Sequence, residues 1–139
     1  MIDIDNQSTF DFKKELCEDI LKSLSDKSIE LIICDNDYIQ NLNKEHRQKD
    51  QATDVLSFPL EFDFPNMPLG SIVISYDFVK EKATLYNHTQ EQEFALLFIH
   101  GLLHLLNYDH EVDDGEHRQK EEELIKEFNL PNSLIVRNQ

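Results

Sequence analysis

Hydrophobic positions along the chain change period repeatedly, and each change marks an element. Ile2 and Ile4 alternate with acids and predict a short first strand. Ser8 or Thr9 then offers an N-cap. Phe12, Leu16, Ile20, Leu21 and Leu24 follow at helical spacing and predict a first amphipathic helix. Ser25 to Ser28 reads as a turn, and the β-branched run Ile29 to Cys34 as a strand. Asp35, Asn36 and Asp37 can cap a second helix, with Tyr38, Ile39 and Leu42 inward and an end fraying toward Arg47. Thr53 to Phe58 reads as a strand that Pro59 ends or confines to a sheet edge.

Leu60 to Leu69 holds Pro65 and Pro68 and reads as a loop, its Phe62 and Phe64 able to stack on a base but read rather as covering the core. Leu69 to Ser75 predicts a strand and Asp77 to Tyr86 a third helix. Thr89 and Gln92 have capping-box spacing and fix the start of the next helix. That helix, Gln90 to Leu106, is apolar nearly all round, which predicts the central buried one. A loop from Tyr108 to Gly115 leads to a last helix, Glu116 to Phe128. It is expected to expose its glutamates, bury Leu124, Ile125 and Phe128, and close at Pro131. There is no internal repeat, low-complexity tract or linker. The order β-α-β-α-β-β-α-α-α predicts one α+β domain over residues 1–139, a small mixed sheet of about four strands packed with about five helices.

The central helix carries the chemistry. HGLLHLLNYDH contains His100, His104 and His110. Histidines four apart on a helix share a face, with Cβ atoms roughly 5–6 Å apart, so both rings can reach one ion. Had the helix run straight, His110 would be carried about 15 Å along the axis from His100 and off that face. The chain must leave the helix between His104 and His110, and Asn107 tolerates the left-handed conformation such an exit needs. Two histidines, a break and a third predict one zinc per chain with a position open for water. A lone histidine is usually a packed or surface residue. Three among FALLFIHGLLHLL and its exit are harder to dismiss, because unpartnered buried imidazoles are costly. Zinc peptidases carry a glutamate after the first histidine of H-E-x-x-H, and here that position is Gly101. The glycine reads as close packing against a strand or as room for substrate.

HGLLHLLNYDH resembles the H-G-x-L-H-L-x-G-Y-D-H signature of the YbeY family, bacterial endoribonucleases of rRNA maturation. A second block, LNKEHRQKDQATDVLSFP from Leu42 to Pro59, is similar to that family's L-N-x-x-[YH]-R-x-x-D-x-x-T-D-V-L-S-F-P. The two motifs stand in the right order, and the likeness covers nearly the whole chain. It implies a zinc-dependent endoribonuclease specific for single-stranded RNA, acting at the 3′ end of 16S rRNA and in ribosome quality control. It also implies metal ligands at His100, His104 and His110, a functional arginine at Arg47, and the small ribosomal subunit or its proteins as partners. DNA is not expected as a substrate. Two positions depart from the pattern. Asn107 replaces the signature glycine while keeping its turn chemistry. In Leu69, Gly70, Ser71, Ile72 a serine replaces the aspartate of L-G-D-[IL].

Composition constrains the mechanism. No run reaches the ~18 apolar residues of a membrane span, and MIDIDNQ lacks the basic start of a signal peptide. Cys17 and Cys34 form no CxxC pair and read as reduced thiols of a cytoplasmic protein. The net charge of −15, from 28 acids against 13 bases, opposes phosphate binding. Many of the acids crowd into Glu111–Glu127, read as a solvated helix face with its lead-in loop. The basic cluster Lys44, His46, Arg47 and Lys49 lies inside the second motif. Weak intrinsic RNA affinity is expected, with the metal and Arg47 acting locally and a partner surface adding the rest. With no glutamate at position 101, the metal hydroxide acts alone or uses a base elsewhere; Asp109, His46 and His117 are candidates, but Asp109 reads rather as an orienting or capping group, and His46 and His117 as ordinary surface histidines. Two other classes compete: a peptidase-like zinc hydrolase, disfavoured by Gly101, and a ribosome-assembly binding factor with a structural metal. An open three-ligand shell argues against the second, since structural zinc usually has four protein ligands.

Overall fold

The computed structural model describes residues 1–60, 67–106 and 115–130. Its elements follow the expected order: β1 (Ile2–Asn6), α1 (Lys14–Leu24), β2 (Ile29–Cys34), α2 (Asn36–Arg47), β3 (Val55–Pro59), β4 (Gly70–Ser75), α3 (Tyr76–Leu85), α4 (Gln90–Leu105) and α5 (Glu116–Glu127). The strands form one mixed sheet in the order β1-β2-β4-β3. β1 and β4 run parallel to β2, and β3 pairs antiparallel with β4. Among the described residues β3 is therefore an edge strand, and Pro59, with no N–H to give, can end it there.

Alternation along the strands sorts the two faces of the sheet. Leu31 and Ile33 lie level with Ile72 and Ile74 and enter the main core, with Ile20 and Leu21 of α1 and the apolar length of α4. Cys34, Leu56 and Val73 point the other way and meet Ile39 of α2 in a smaller cluster. Helix α4 is buried at eleven positions between Glu93 and Leu105, as an all-round apolar helix must be. Gly70 sits at φ +149°, and a Cβ there would overlap the Phe58 carbonyl oxygen, so glycine lets β4 close against β3.

Three expectations need correction. The first helix begins at Lys14 behind Lys13, which makes no side-chain cap; Ser8 and Thr9 do not cap it. Ser8 instead binds Asn6, its hydroxyl donating to Asn6 Oδ1 over 2.6 Å and accepting from the Phe10 N–H over 3.1 Å. Such residues compete with the helix through their own local hydrogen bonds. On α5 the glutamates are not all exposed: Glu121 is wholly buried. His117 is also wholly buried, and is no surface histidine. Phe62, Phe64, Asn107, Asp109, His110 and Pro131 lie outside the described residues.

Candidate metal centre

The capping box fixes where α4 starts. Thr89 Oγ1 accepts from the Gln92 N–H over 3.0 Å, and Gln92 Oε1 accepts from the Thr89 N–H over 2.9 Å. Counted from that start, His100 and His104 fall one turn apart at the far end of the helix. Their Nε2 atoms face one another at 3.2 Å, and the ring planes cross at 73°. Two nitrogens on a tetrahedral ion at about 2.0–2.1 Å stand roughly 3.4 Å apart. The pair thus has the spacing of two ligands to one ion.

Helix α5 brings a third imidazole. The His117 ring centre lies 4.9 Å from that of His100 and 4.9 Å from that of His104. One nitrogen from each of the three rings lies within 4.8 Å of the others, so this cluster is able to hold a metal ion. Behind it stands Glu121. A single oxygen, Oε2, lies 3.2 Å from His100 Nδ1 and 3.2 Å from His117 Nε2. Burial pushes this carboxyl up. Hydrogen bonds from His100 and His117, with electrostatic attraction to the same two rings, outweigh burial and hold it down at about 2. The carboxylate is ionised near neutral pH and only accepts, so both ring nitrogens donate. In neutral His100 the proton is then on Nδ1, and Nε2 keeps its lone pair.

The expected ligands are thus placed unequally. His100 and His104 converge, while His110 lies outside the described residues. His117, read as a surface histidine, and Glu121, read as an exposed glutamate, join them instead. Their signal was a stripe: His117, Glu121, Leu124, Ile125 and Phe128 share one helical face, and its apolar members pack into the core.

Arg47 reaches strand β3 from the end of α2. Asp35 caps α2 by accepting from the Tyr38 N–H over 2.9 Å, and Gln48 ends the helix in the left-handed region at φ 58°. Arg47, the last helical residue, donates from Nη2 to the Ser57 carbonyl over 3.1 Å. Its partner is a strand backbone, not a surface acid. Ser57 Oγ in turn donates to the Gly101 carbonyl over 2.9 Å. Strand β3 so joins Arg47 to the turn of α4 that carries His100. His46 is exposed with its ring edge against Phe58, and Lys44 faces Asp50 at 4.0 Å.

Gly101 itself is packed. An added Cβ would lie 3.0 Å from Ile72 Cγ2, 3.1 Å from Ser57 Oγ and 3.2 Å from Val55 Cγ2. Of the two readings of this glycine, close approach to the sheet is the one the geometry supports. Ser71 lies on the opposite sheet face from Ile72, bonded to Glu30 over 2.9 Å, away from the helix of histidines.

A mixed four-stranded sheet with histidines gathered from two helices over its edge defines a single-domain α+β protein built around a potential metal centre. The sequence profile described as endoribonuclease YbeY matches residues 2–129, and the chain belongs to that family. It is 60% identical over 139 residues to the endoribonuclease YbeY of Aliarcobacter butzleri, covering 99% of each chain. It is 58% identical to that of Sulfurovum sp. (strain NBC37-1), covering 99% of this chain and 97% of the other. Among solved structures it is similar to the solution structure of TM1509 from Thermotoga maritima. That likeness has a TM-score of 0.62 at 32% identity and covers 92% of this chain and 89% of the other.

Proposed function

We propose that this chain is a zinc-dependent endoribonuclease that cuts single-stranded RNA in rRNA maturation, in the cytoplasm. The observation carrying the proposal is the convergence of His100 and His104 beside Arg47's strand, in a chain so similar to proteins named endoribonuclease YbeY. In this reading one zinc per chain is held by His100, His104 and His110. The donor set suits it, since neutral imidazoles are favoured zinc ligands. Zinc in such a shell supplies Lewis acidity toward a phosphoryl oxygen and lowers the pKa of water.

The chain's own residues do the rest. Arg47 binds the phosphate being cut. Its guanidinium has five N–H donors, and the bond to Ser57 uses one, so the fork can still address two phosphate oxygens and stabilise charge that builds there. Ser57 keeps the strand at a fixed distance from His100 through Gly101. With a net charge of −15 the chain itself attracts RNA poorly, and Lys44, Arg47 and Lys49 give only local help. The small ribosomal subunit or its proteins then supply the remaining affinity. Peptidase chemistry is disfavoured because Gly101 has no carboxylate and no space for one. One observation favours a second reading, a ribosome-assembly factor with structural metal: His117 would bring the imidazoles to four, the count of a closed structural site.

The test is cleavage of an end-labelled single-stranded RNA by zinc-loaded protein, with and without chelator, using wild type, Arg47→Glu and Arg47→Lys. Chelator should stop cleavage. Arg47→Glu should abolish it at unchanged zinc content, and Arg47→Lys should restore part, because an ammonium lacks the planar two-point contact. Undiminished cleavage by folded, zinc-loaded Arg47→Glu removes Arg47 from the reaction. Full zinc loading with no cleavage by the wild type favours the structural metal.

A further inference from the structure

We propose that Glu121 is the positioning residue of the metal centre, one buried carboxylate oxygen holding the His100 and His117 rings in fixed tautomers. The inference rests on the zinc reading above and extends it to a residue that touches neither metal nor RNA. Four features of the molecule support it.

The first is cost. Glu121 is fully buried beside Leu124 and Ile125, where an apolar side chain would pack without desolvating a charge. Its neighbours Glu116, Glu122, Glu123 and Glu127 on the same helix are all exposed. A lone buried acid on an otherwise ordinary acidic helix needs a compensating task. The second is geometry. Both contacts run to the same oxygen, at 3.2 Å each, from rings on two different helices. That oxygen pins α5 to α4 at the level of His100.

The third is chemistry. A carboxylate that accepts from His100 Nδ1 leaves Nε2 as the nitrogen with a lone pair, and this Nε2 is the one facing His104 Nε2. Metal-bound histidines recurrently give their other N–H to a carboxylate, which fixes the tautomer and raises ligand basicity. The fourth is location. Glu121 stands on the far side of the His100 ring from His104, so it orients the ring without competing for the ion. His117, bonded to the same oxygen, is held against both α4 rings by the same device.

The experiment compares wild type, Glu121→Gln and Glu121→Leu, each stripped of metal and then titrated with zinc against a competing chelator well below its melting temperature. The metal-free melting temperature is recorded, as are the absorption spectrum of the cobalt-loaded protein and the ring-nitrogen NMR signals of His100. Loss of such a carboxylate should weaken zinc binding about 10–100-fold. Glu121→Leu should show that full loss, an altered cobalt spectrum, and a His100 ring no longer fixed as the Nδ1–H tautomer. Glu121→Gln keeps an acceptor of the same shape without the charge. It should fold as well as wild type, bind zinc with intermediate affinity and retain the tautomer.

A purely structural Glu121 would lower the melting temperature of the leucine variant and leave zinc affinity and tautomer unmoved; that result overturns the proposal. If the leucine variant does not fold, Glu121→Gln decides, and wild-type zinc affinity in that variant overturns it equally. A wild-type chain that takes up no zinc overturns the metal reading along with this one. A wild type that loads and cleaves RNA, beside variants that load equally well, overturns only the role of Glu121.

Discussion

Gly101 offers the sharpest test of how α4 is seated. Replacing it with alanine should help the helix on its own account, since alanine is better than glycine in a helix interior by about 1 kcal/mol. The structure opposes that gain. The new methyl would lie 3.0 to 3.2 Å from Ile72 Cγ2, Ser57 Oγ and Val55 Cγ2, tighter than ordinary van der Waals contact at all three. Ile72 and Val55 are β-branched and stiff at χ1, so their methyls cannot swing away. The helix must shift off the sheet by a few tenths of an ångström. Overpacking of this kind costs roughly 1–3 kcal/mol. The shift also strains the bond from Ser57 Oγ to the Gly101 carbonyl, worth about 1 kcal/mol. The balance is a net loss of about 1–2 kcal/mol for Gly101→Ala, or a fall in melting temperature of roughly 3–7 °C for a domain of this size. Gly101→Glu would recreate the peptidase motif, but it would also bury a carboxylate against the sheet. It should yield little folded protein and no proteolysis. Thermal unfolding of metal-free protein, followed by circular dichroism, checks both. A Gly101→Ala protein that melts at or above the wild-type temperature would show slack between α4 and β3 and reopen the reading of Gly101 as space for substrate.

Two further predictions follow from other parts of the fold. Thr89→Ala removes the hydroxyl half of the capping box and should cost about 1 kcal/mol by urea denaturation, whereas Thr89→Ser should stay close to wild type. An unchanged midpoint for Thr89→Ala would mean that packing alone sets the start of α4. Cys17 and Cys34 are buried, and their thiols are pushed up to about 12, by burial first and then by Glu18 for Cys17 and by Asp35, Asp77 and Asp5 for Cys34. At pH 8 the thiolate fraction is then about a thousandfold below that of a free cysteine, so a thiol-specific reagent should label the protein only in denaturant. Rapid labelling of the native chain would show that one of these sites opens.

What the sequence made legible, and what it hid, differ in physical kind. Helix α4 was readable because its signals are local and agree: a capping box at one end, an unbroken apolar surface, and His100 and His104 at a spacing fixed by the helix itself. The strands were readable for the same reason, with Pro59 placing β3 at an edge. The start of α1 was misread because Ser8 has two local uses, capping a helix or bonding Asn6, and only the chain's path selects between them. His117 and Glu121 were misread for a deeper reason. On α5 alone they look like two more polar residues of an acidic helix, and solvent exposure is the cheaper assumption for each. What makes their burial tolerable is the pair they form with each other and with His100, which belongs to another helix. On α5 they can bond each other, and packing α4 against α5 adds His100 to the same carboxylate oxygen. The periodicity did hold the clue, for a stripe of Leu124, Ile125 and Phe128 that continues backward through Glu121 and His117 is an apolar face with two polar members. In a stable fold such members must be paired. The conflict between the periodicity of α5 and the chemistry of two of its positions therefore pointed to a polar partner on whatever surface that face packs against, and the structure supplies it as His100 of α4.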